Sequence, residues 1–330
     1  MTRQTFLQRR KALGAIALTV AGALGSGATG AQAPDTSSRP IKIVVPFAPG
    51  GSNDMVGRSI AQQLATRLKR TVVVENRPGA GGAIGAEAVA RAEPDGTTLL
   101  LISSSFTMNS SIMKLSYDPV RSFTPVAFLG IGPSVVVVNA AMPVNTMGEL
   151  VAYSKKHPGT VNFASAGVAS FTHFGAELLR TRTSADMAIV QYKGGGPAMS
   201  DLAAGHVQMS LISMLQMVPH LKGGRIKVIG VAGPKRSELI PGVATLKEQG
   251  YDVDASNWWG LLAPAGTPAG PVDAIHREVN LLLSEPEMKK RFTTEGAEAT
   301  PVTRAEFEKF MGGEFAKWAL VAKQTGIQPE

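Results

Sequence analysis

Short apolar runs alternate with stretches of helical period from residue 41 onward, which is the rhythm of an α/β protein. Ile41 to Val45 reads as a buried strand, and Pro49-Gly50-Gly51 then breaks the chain. A helix is expected from about Asp54 to Lys69, with Val56, Ile60, Leu64 and Leu68 on one face and Ser52, Asn53 or Asp54 as its cap. Thr71 to Glu75 is a second strand, Ala83 to Ala92 a second helix stopped by Pro94-Asp95-Gly96, and Thr97 to Ile102 a third strand.

Gly130, Gly132 and Pro133 interrupt the pattern before a fresh strand at Val135 to Val138. The chain is expected to cross there into a second α/β unit. Thr146 and Glu149 form a capping box for a helix ending near Lys156. Val161 to Ala164, Ala188 to Tyr192, Val207 to Ile212 and Ile226 to Val231 read as strands, with a helix from Phe171. Trp258 to Leu262 is a returning strand, and two or three helices finish the chain. The last opens on a box of Thr303 and Glu306 and carries Phe307, Phe310, Met311, Phe315, Trp318 and Val321 at helical spacing, a stripe that reads as packing. The expected organisation is residues 1–33 as a leader, 34–134 as the first part of lobe 1, 135–252 as lobe 2, and 253–330 as the rest of lobe 1. Two crossings between two lobes suit a hinged clamshell that traps a ligand between them.

The leader changes the reading of charge and compartment. Arg3, Arg9, Arg10 and Lys11 precede an apolar stretch from Ala12 to about Leu24, and small residues lead to Ala31-Gln32-Ala33. That is the layout of a cleavable signal peptide, too short in its apolar part for a span of about 20 residues. Gln8-Arg9-Arg10-Lys11 partly matches a twin-arginine signal, so Sec and Tat export are both open. Cleavage after Ala33 would put Pro34 first; a cut after Ala31 is the alternative. The full chain has a formal charge of +8, but four basic residues and no acidic one lie in the leader, which leaves 29 basic against 25 acidic, or +4. With no run of five like charges, no nucleic-acid footprint is expected. The chain has no cysteine, which excludes a lipoprotein anchor, disulfides and thiolate metal sites. His157, His173, His206, His220 and His276 show no metal-ligand spacing, so neither a metal nor an organic cofactor is expected.

The candidate chemistry lies in three glycine-rich turns, each between a strand and a helix. They are Pro46 to Asp54, Asn76 to Gly82, and Ser165 to Ser170. Glycine admits a ligand close to the backbone, and the helix end behind it offers unpaired N–H groups and partial positive charge. A carboxylate fits such a place without arginine; an ordinary αβ turn fits the same pattern. The G-x-G at Gly79 has Ile84 at the third glycine position and no acid about 20 residues on, so it fails as a dinucleotide site. There is no G-x-x-x-x-G-K-[ST], and no G-x-S-x-G elbow in the mature chain. Ser170 and His173 lie close in sequence but lack an orienting third group and an oxyanion hole, and His173 reads as a local hydrogen-bonding residue. An enzyme is therefore not expected, although an α/β enzyme acting on a carboxylic acid stays as an alternative.

Several ordered motifs resemble the Bug family, the substrate-binding receptors of tripartite tricarboxylate transporters. They are Pro46-Phe47-Ala48-Pro49-Gly50-Gly51 with Asp54 and Arg58; Val74 to Gly82 ending in Pro94-Asp95-Gly96; and Ala164-Ser165-Ala166-Gly167 with His173 and Glu177-Leu178. Gln191-Tyr192-Lys193-Gly194 with Pro197, Asp201 and Gly205, then Trp259 to Pro268, continue the match in the family's order, across nearly all of residues 40 to 325. Thr97, Ala169 and Gly242-Val243-Ala244-Thr245 depart from the family pattern; the loop around Ala169 often has glycine there. The resemblance implies a type II periplasmic-binding-protein fold and a periplasmic location. It also implies a small carboxylate held through backbone groups and bridging waters by two loops, Phe47, Ala48, Pro49, Gly50, Gly51, Ser52, Asn53 and Asp54 in one, and Ser165, Ala166, Gly167, Ser170, Thr172 and His173 in the other. Asp201 is added as a partner for a ligand amine or hydroxyl, or is simply a first-turn acid. Ser103, Ser104, Thr107 and Asn109 either line the cleft near the hinge or are plain turn residues. The implied partners are the membrane permease subunits; docking on a sensor kinase is the other reading.

Overall fold

A computed structural model describes residues 39–328. The leader expected over residues 1–33 lies outside the described residues.

Strand β1 (Ile41–Val45) pairs in parallel with β2 (Val72–Asn76) on one side and β3 (Thr98–Ser103) on the other. Beyond β3 the sheet turns antiparallel, through β9 (Ser256–Pro264) to β4 (Phe123–Asn139). β4 then continues into a second group of strands. There it pairs antiparallel with β7 (Met209–Ser213) and β8 (Ile226–Ala232), and β7 leads in parallel to β5 (Asn162–Ser165) and β6 (Ala188–Gln191). One strand is thus shared by two sheets. Phe123 to Pro133 pairs with β9 in the first, and Ser134 to Asn139 pairs with β7 and β8 in the second.

The shared strand departs from the expectation of an interruption at Gly130, Gly132 and Pro133. A side chain at Gly130 would meet the carbonyl oxygen of Glu298 at 2.3 Å, and one at Gly132 would meet that of Gly296 at 2.7 Å. The glycines admit the backbone around β10 (Glu298–Ala299), which pairs with β4 at this point. They mark a close approach inside a strand rather than its end.

Each sheet is buried on both faces, as continuous apolar strands require. In the first, Ile41, Ile43, Val45, Leu99 and Leu101 pack on one side, while Val44, Leu100 and Ile102 pack on the other. In the second, Val136 and Val138 face one core and Val135 and Val137 the opposite one. The strands thus belong to two lobes, each with a sandwiched sheet.

Helices fill the faces. α1 (Ser52–Leu68) buries Val56, Ile60 and Leu64 on the first sheet and stops at Lys69, whose left-handed backbone (φ 49) closes the last turn onto the Ala65 carbonyl. α2 (Ala83–Ala90) and α3 (Ser104–Ile112) follow β2 and β3. In the second lobe come α4 (Met147–Lys156), α5 (Phe171–Thr183), α6 (Gly195–Ala204) and the single turn α7 (Met214–Met217). Only half of the expected box at α4 forms: Thr146 accepts from the Glu149 N–H, but the Glu149 carboxylate reaches past it to the N–H of Asn145 at 2.6 Å.

Three helices end the chain, α8 (Ala269–Ser284), α9 (Pro286–Thr294) and α10 (Arg304–Thr325). The box of Thr303 and Glu306 is complete. The aromatic stripe of α10 is packing, as expected. Phe307 and Met311 join the first lobe's core, and Trp318 and Ala322 join the second's. α10 therefore passes from one lobe to the other.

Candidate ligand-binding cleft

The turns after β1 and β3 in the first lobe meet the turns after β5, β6 and β7 in the second. They enclose a narrow cleft between the lobes, a common position for a small-molecule site. Its cavity volume is only about 40 Å³, so the two lobes are drawn together. Glycine makes the approach possible: a side chain on Gly196 would lie 2.0 Å from the Pro49 carbonyl oxygen, and one on Gly81 2.3 Å from that of Val168. A backbone hydrogen bond from the Ala48 N–H to the Lys193 carbonyl (3.2 Å) joins the lobes directly.

The cleft is lined by apolar groups together with serine, threonine, asparagine and glutamine side chains, and its lining contains no charged side chain. Its electrostatics come from helix ends instead. α1, α3 and α6 each begin beside it, lining it with Ser52, Ser105 and Gly195 of their first turns, and none of the three has a side-chain cap. Their first N–H groups and dipoles favour an anion. α5, which contributes Phe171 and Thr172, is capped by Ser170, whose hydroxyl accepts from the His173 N–H.

Serine hydroxyls add donors. Ser103 Oγ accepts from Asn53 Nδ2 (3.2 Å), Ser105 Oγ from the Phe171 N–H (2.8 Å), and Ser213 Oγ from the Gln216 N–H (3.3 Å). Each oxygen is held by a fixed donor, which leaves its own proton to be given to the cleft. Asn53 is held in turn by Trp259, whose indole Nε1 donates to Asn53 Oδ1 at 3.0 Å. Gln216 Nε2 donates to the Gly195 carbonyl (3.0 Å), which fixes the start of α6.

Of the residues proposed from sequence, Phe47, Gly51, Ser52, Asn53, Ser103, Ala166, Ser170 and Thr172 line this cleft. The others do not line it. Ala48, Pro49 and Gly50 pack on Lys193 to Gly196 across the lobes. Gly167 lies against the Tyr192 carbonyl. Ser104 Oγ accepts from the Trp258 N–H, and buried Ser165 Oγ lies 3.3 Å from Thr172 Oγ1. His173 Nδ1 accepts from the N–H of Ala169 (3.1 Å), which pins that alanine in the left-handed conformation (φ 61). Asp201 accepts from Tyr192 Oη at 2.7 Å, and that bond first, with His206, holds its carboxyl below the usual range. Burial and then Asp201 push the Tyr192 phenol up to about 12. Sequence reasoning did not select Ser105, Phe171, Gly195, Ile212, Ser213, Gln216 or Asn257, which also line the cleft.

Asp54 braces the first loop. Its carboxylate accepts from the Gly50 N–H (3.0 Å), Asn76 Nδ2 (2.9 Å) and Arg58 Nε (3.0 Å). Burial alone would push its pKa up, but the bonds from Arg58, Asn76 and Gly50 outweigh burial and hold it below the ordinary value. The unfolded chain therefore binds more protons, and the stability Asp54 contributes is present above about pH 4 and lost as pH falls through its lower folded value. Asp54→Asn is expected to be less stable than wild type by about 1–3 kcal/mol at pH 7, with the gap closing below about pH 4. Urea unfolding from pH 7 to pH 3 measures it, and a gap independent of pH would refute the role.

The family model described as "Tripartite tricarboxylate transporter family receptor" matches residues 56–327. The chain belongs to this receptor family. Protein BugT of Bordetella pertussis is 35% identical over 295 residues, covering 88% of this chain and 90% of that protein. The periplasmic binding protein BugD is 32% identical with a TM-score of 0.85, over 88% of this chain and 99% of that one. Rpa4515 of R. palustris, solved with adipate, is 29% identical with a TM-score of 0.85, over 88% of this chain and 98% of that one. The two-lobed α/β fold of this receptor family is the type II clamshell expected from the sequence. No helix among the described residues is long and apolar enough to cross a membrane.

Proposed function

We propose that this receptor works in the periplasm, where it captures a small carboxylate between its lobes and hands it to the membrane permease subunits of a tripartite tricarboxylate transporter, without catalysing a reaction. The observation that carries this reading is the cleft itself. Three uncapped helix ends and three serine hydroxyl donors converge on a space with no charged lining residue. Such a site stabilises an anion through fixed dipoles, with no salt bridge. Adipate in Rpa4515 is a ligand of this chemical type. No assembled nucleophile and base lies among the lining residues, which supports a binding role. In this reading the two lobes are those expected from the sequence, except that the end of α10 packs on the second, and ligand contacts from both shift the equilibrium toward the closed form.

The test is a thermal-shift screen of the protein, stripped of ligand by unfolding and refolding, against small carboxylic acids with sugars and neutral amides as controls. An acid at 100 times its dissociation constant adds about 2.7 kcal/mol of stability, a rise of several degrees. A flat response to every acid from folded protein refutes the carboxylate reading.

A further inference from the structure

A second, smaller hollow adjoins the main cleft beside Phe47; Phe47, Ser103 and Ser105 line both spaces. Its walls are Leu100, Ile102 and Phe106, and Asn109 of α3 closes it. Asn109 is 1% exposed. Its Nδ2 donates to the Gly81 carbonyl at 3.4 Å, which fixes the amide orientation, since that carbonyl can only accept. The amide oxygen Oδ1 is left without a hydrogen-bond partner among the described residues. A buried acceptor without a donor costs about 1–3 kcal/mol, which marks the hollow as built for a donor. Its cavity volume is about 10 Å³, close to the ~10–15 Å³ that one water-sized group needs.

We propose that the receptor selects acids bearing a neutral hydroxyl, which enters the hollow beside Phe47 and donates to Asn109 Oδ1. This rests on the carboxylate reading above and names the ligand class within it. A second carboxylate placed there would face a carbonyl oxygen. An ammonium would meet no acidic side chain in the lining of either space, and a buried unpaired charge is disfavoured. A hydroxyl fits the volume and brings the missing donor.

Isothermal titration of the whole receptor with matched acids tests this: lactate against propionate, malate against succinate, beta-hydroxybutyrate against butyrate, and para-hydroxybenzoate against benzoate. In wild type at least one hydroxylated acid is expected to bind about tenfold tighter than its partner. In Asn109→Ala that ratio should fall to within about twofold, while affinity for the unhydroxylated partner changes little, a pattern that general loosening of the cleft does not produce. Asn109→Ser, too short to reach the hollow, gives the same expectation should the alanine variant not fold. A ratio near one in every wild-type pair, as when a water fills the hollow, or a ratio kept in the variants, overturns the inference and leaves the carboxylate reading standing. Failure of every acid to bind overturns both.

Discussion

Gly196→Ala is expected to fold normally and to lose its ligand. Gly196 is the second residue of α6, where a methyl group stabilises a helix by about 0.5–1 kcal/mol. The three nearest atoms to the added carbon outside its own helix are the Pro49 carbonyl oxygen at 2.0 Å, the Pro49 carbonyl carbon at 3.1 Å and Gly50 Cα at 3.3 Å. All three belong to the first lobe's backbone, so no side chain can rotate away. That backbone is also held, by the bond from the Gly50 N–H to Asp54 and by the bond from the Ala48 N–H to the Lys193 carbonyl. The methyl group therefore excludes the closed form and leaves a form with parted lobes untouched. Affinity falls with the population of the binding-competent state, and a loss of at least about a hundredfold, roughly 2.7 kcal/mol, is expected. Titration with the best acid from the screen measures it, and X-ray scattering should show no compaction when that acid is added. Wild-type affinity in a folded variant would mean that the glycine contact is not part of the ligand-bound form.

The strands and the helical faces were legible because each is a local pattern. The apolar runs Ile41 to Val45 and Leu99 to Ile102 become two cores on opposite faces of one sheet. The stripe from Phe307 to Trp318 becomes the packed face of α10. What misled was chemistry with two local explanations. Gly130 and Gly132 look like strand breakers, and only the approach of Gly296 and Glu298, more than 160 residues away in sequence, shows that they lie inside β4. Asp54 in a first helical turn suits a ligand or a loop brace equally well, and its partner Asn76 is 22 residues distant. The cleft divides in the same way. Its two glycine-rich loops advertised themselves, but Ser213, Gln216 and Asn257 come from single positions in other elements, where serine, glutamine and asparagine are unremarked. The run Gly194-Gly195-Gly196 was a visible signal. Its meaning is steric, the passage of one lobe's backbone against the other's.

The largest loss of stability is expected at Glu314, where α10 passes between the lobes. One of its oxygens, Oε2, accepts from Trp258 Nε1 and from Trp318 Nε1, each at 2.9 Å. Trp258 packs with Phe128, Phe307 and Phe310 in the first lobe, and Trp318 packs edge-on against Phe174 in the second. Both indoles are at most 2% exposed and Glu314 is 9% exposed, so water does not readily replace the carboxylate. Glu314→Leu keeps much of the volume and leaves two buried N–H donors unpaired, each worth about 1–3 kcal/mol. A destabilisation of about 3 kcal/mol follows, a fall in Tm on the order of 5–10 °C. Glu314→Gln retains a carbonyl oxygen with two lone pairs and should lose only about 1 kcal/mol. The two variants separate hydrogen bonding from charge: equal losses would mean that the negative charge, with Lys317 Nζ at 3.4 Å from Oε1, holds the junction. A leucine variant as stable as wild type would show that the aromatic packing alone fixes α10. The expected order, wild type above glutamine and glutamine well above leucine, makes one acidic oxygen the pin that sets the helix across both lobes.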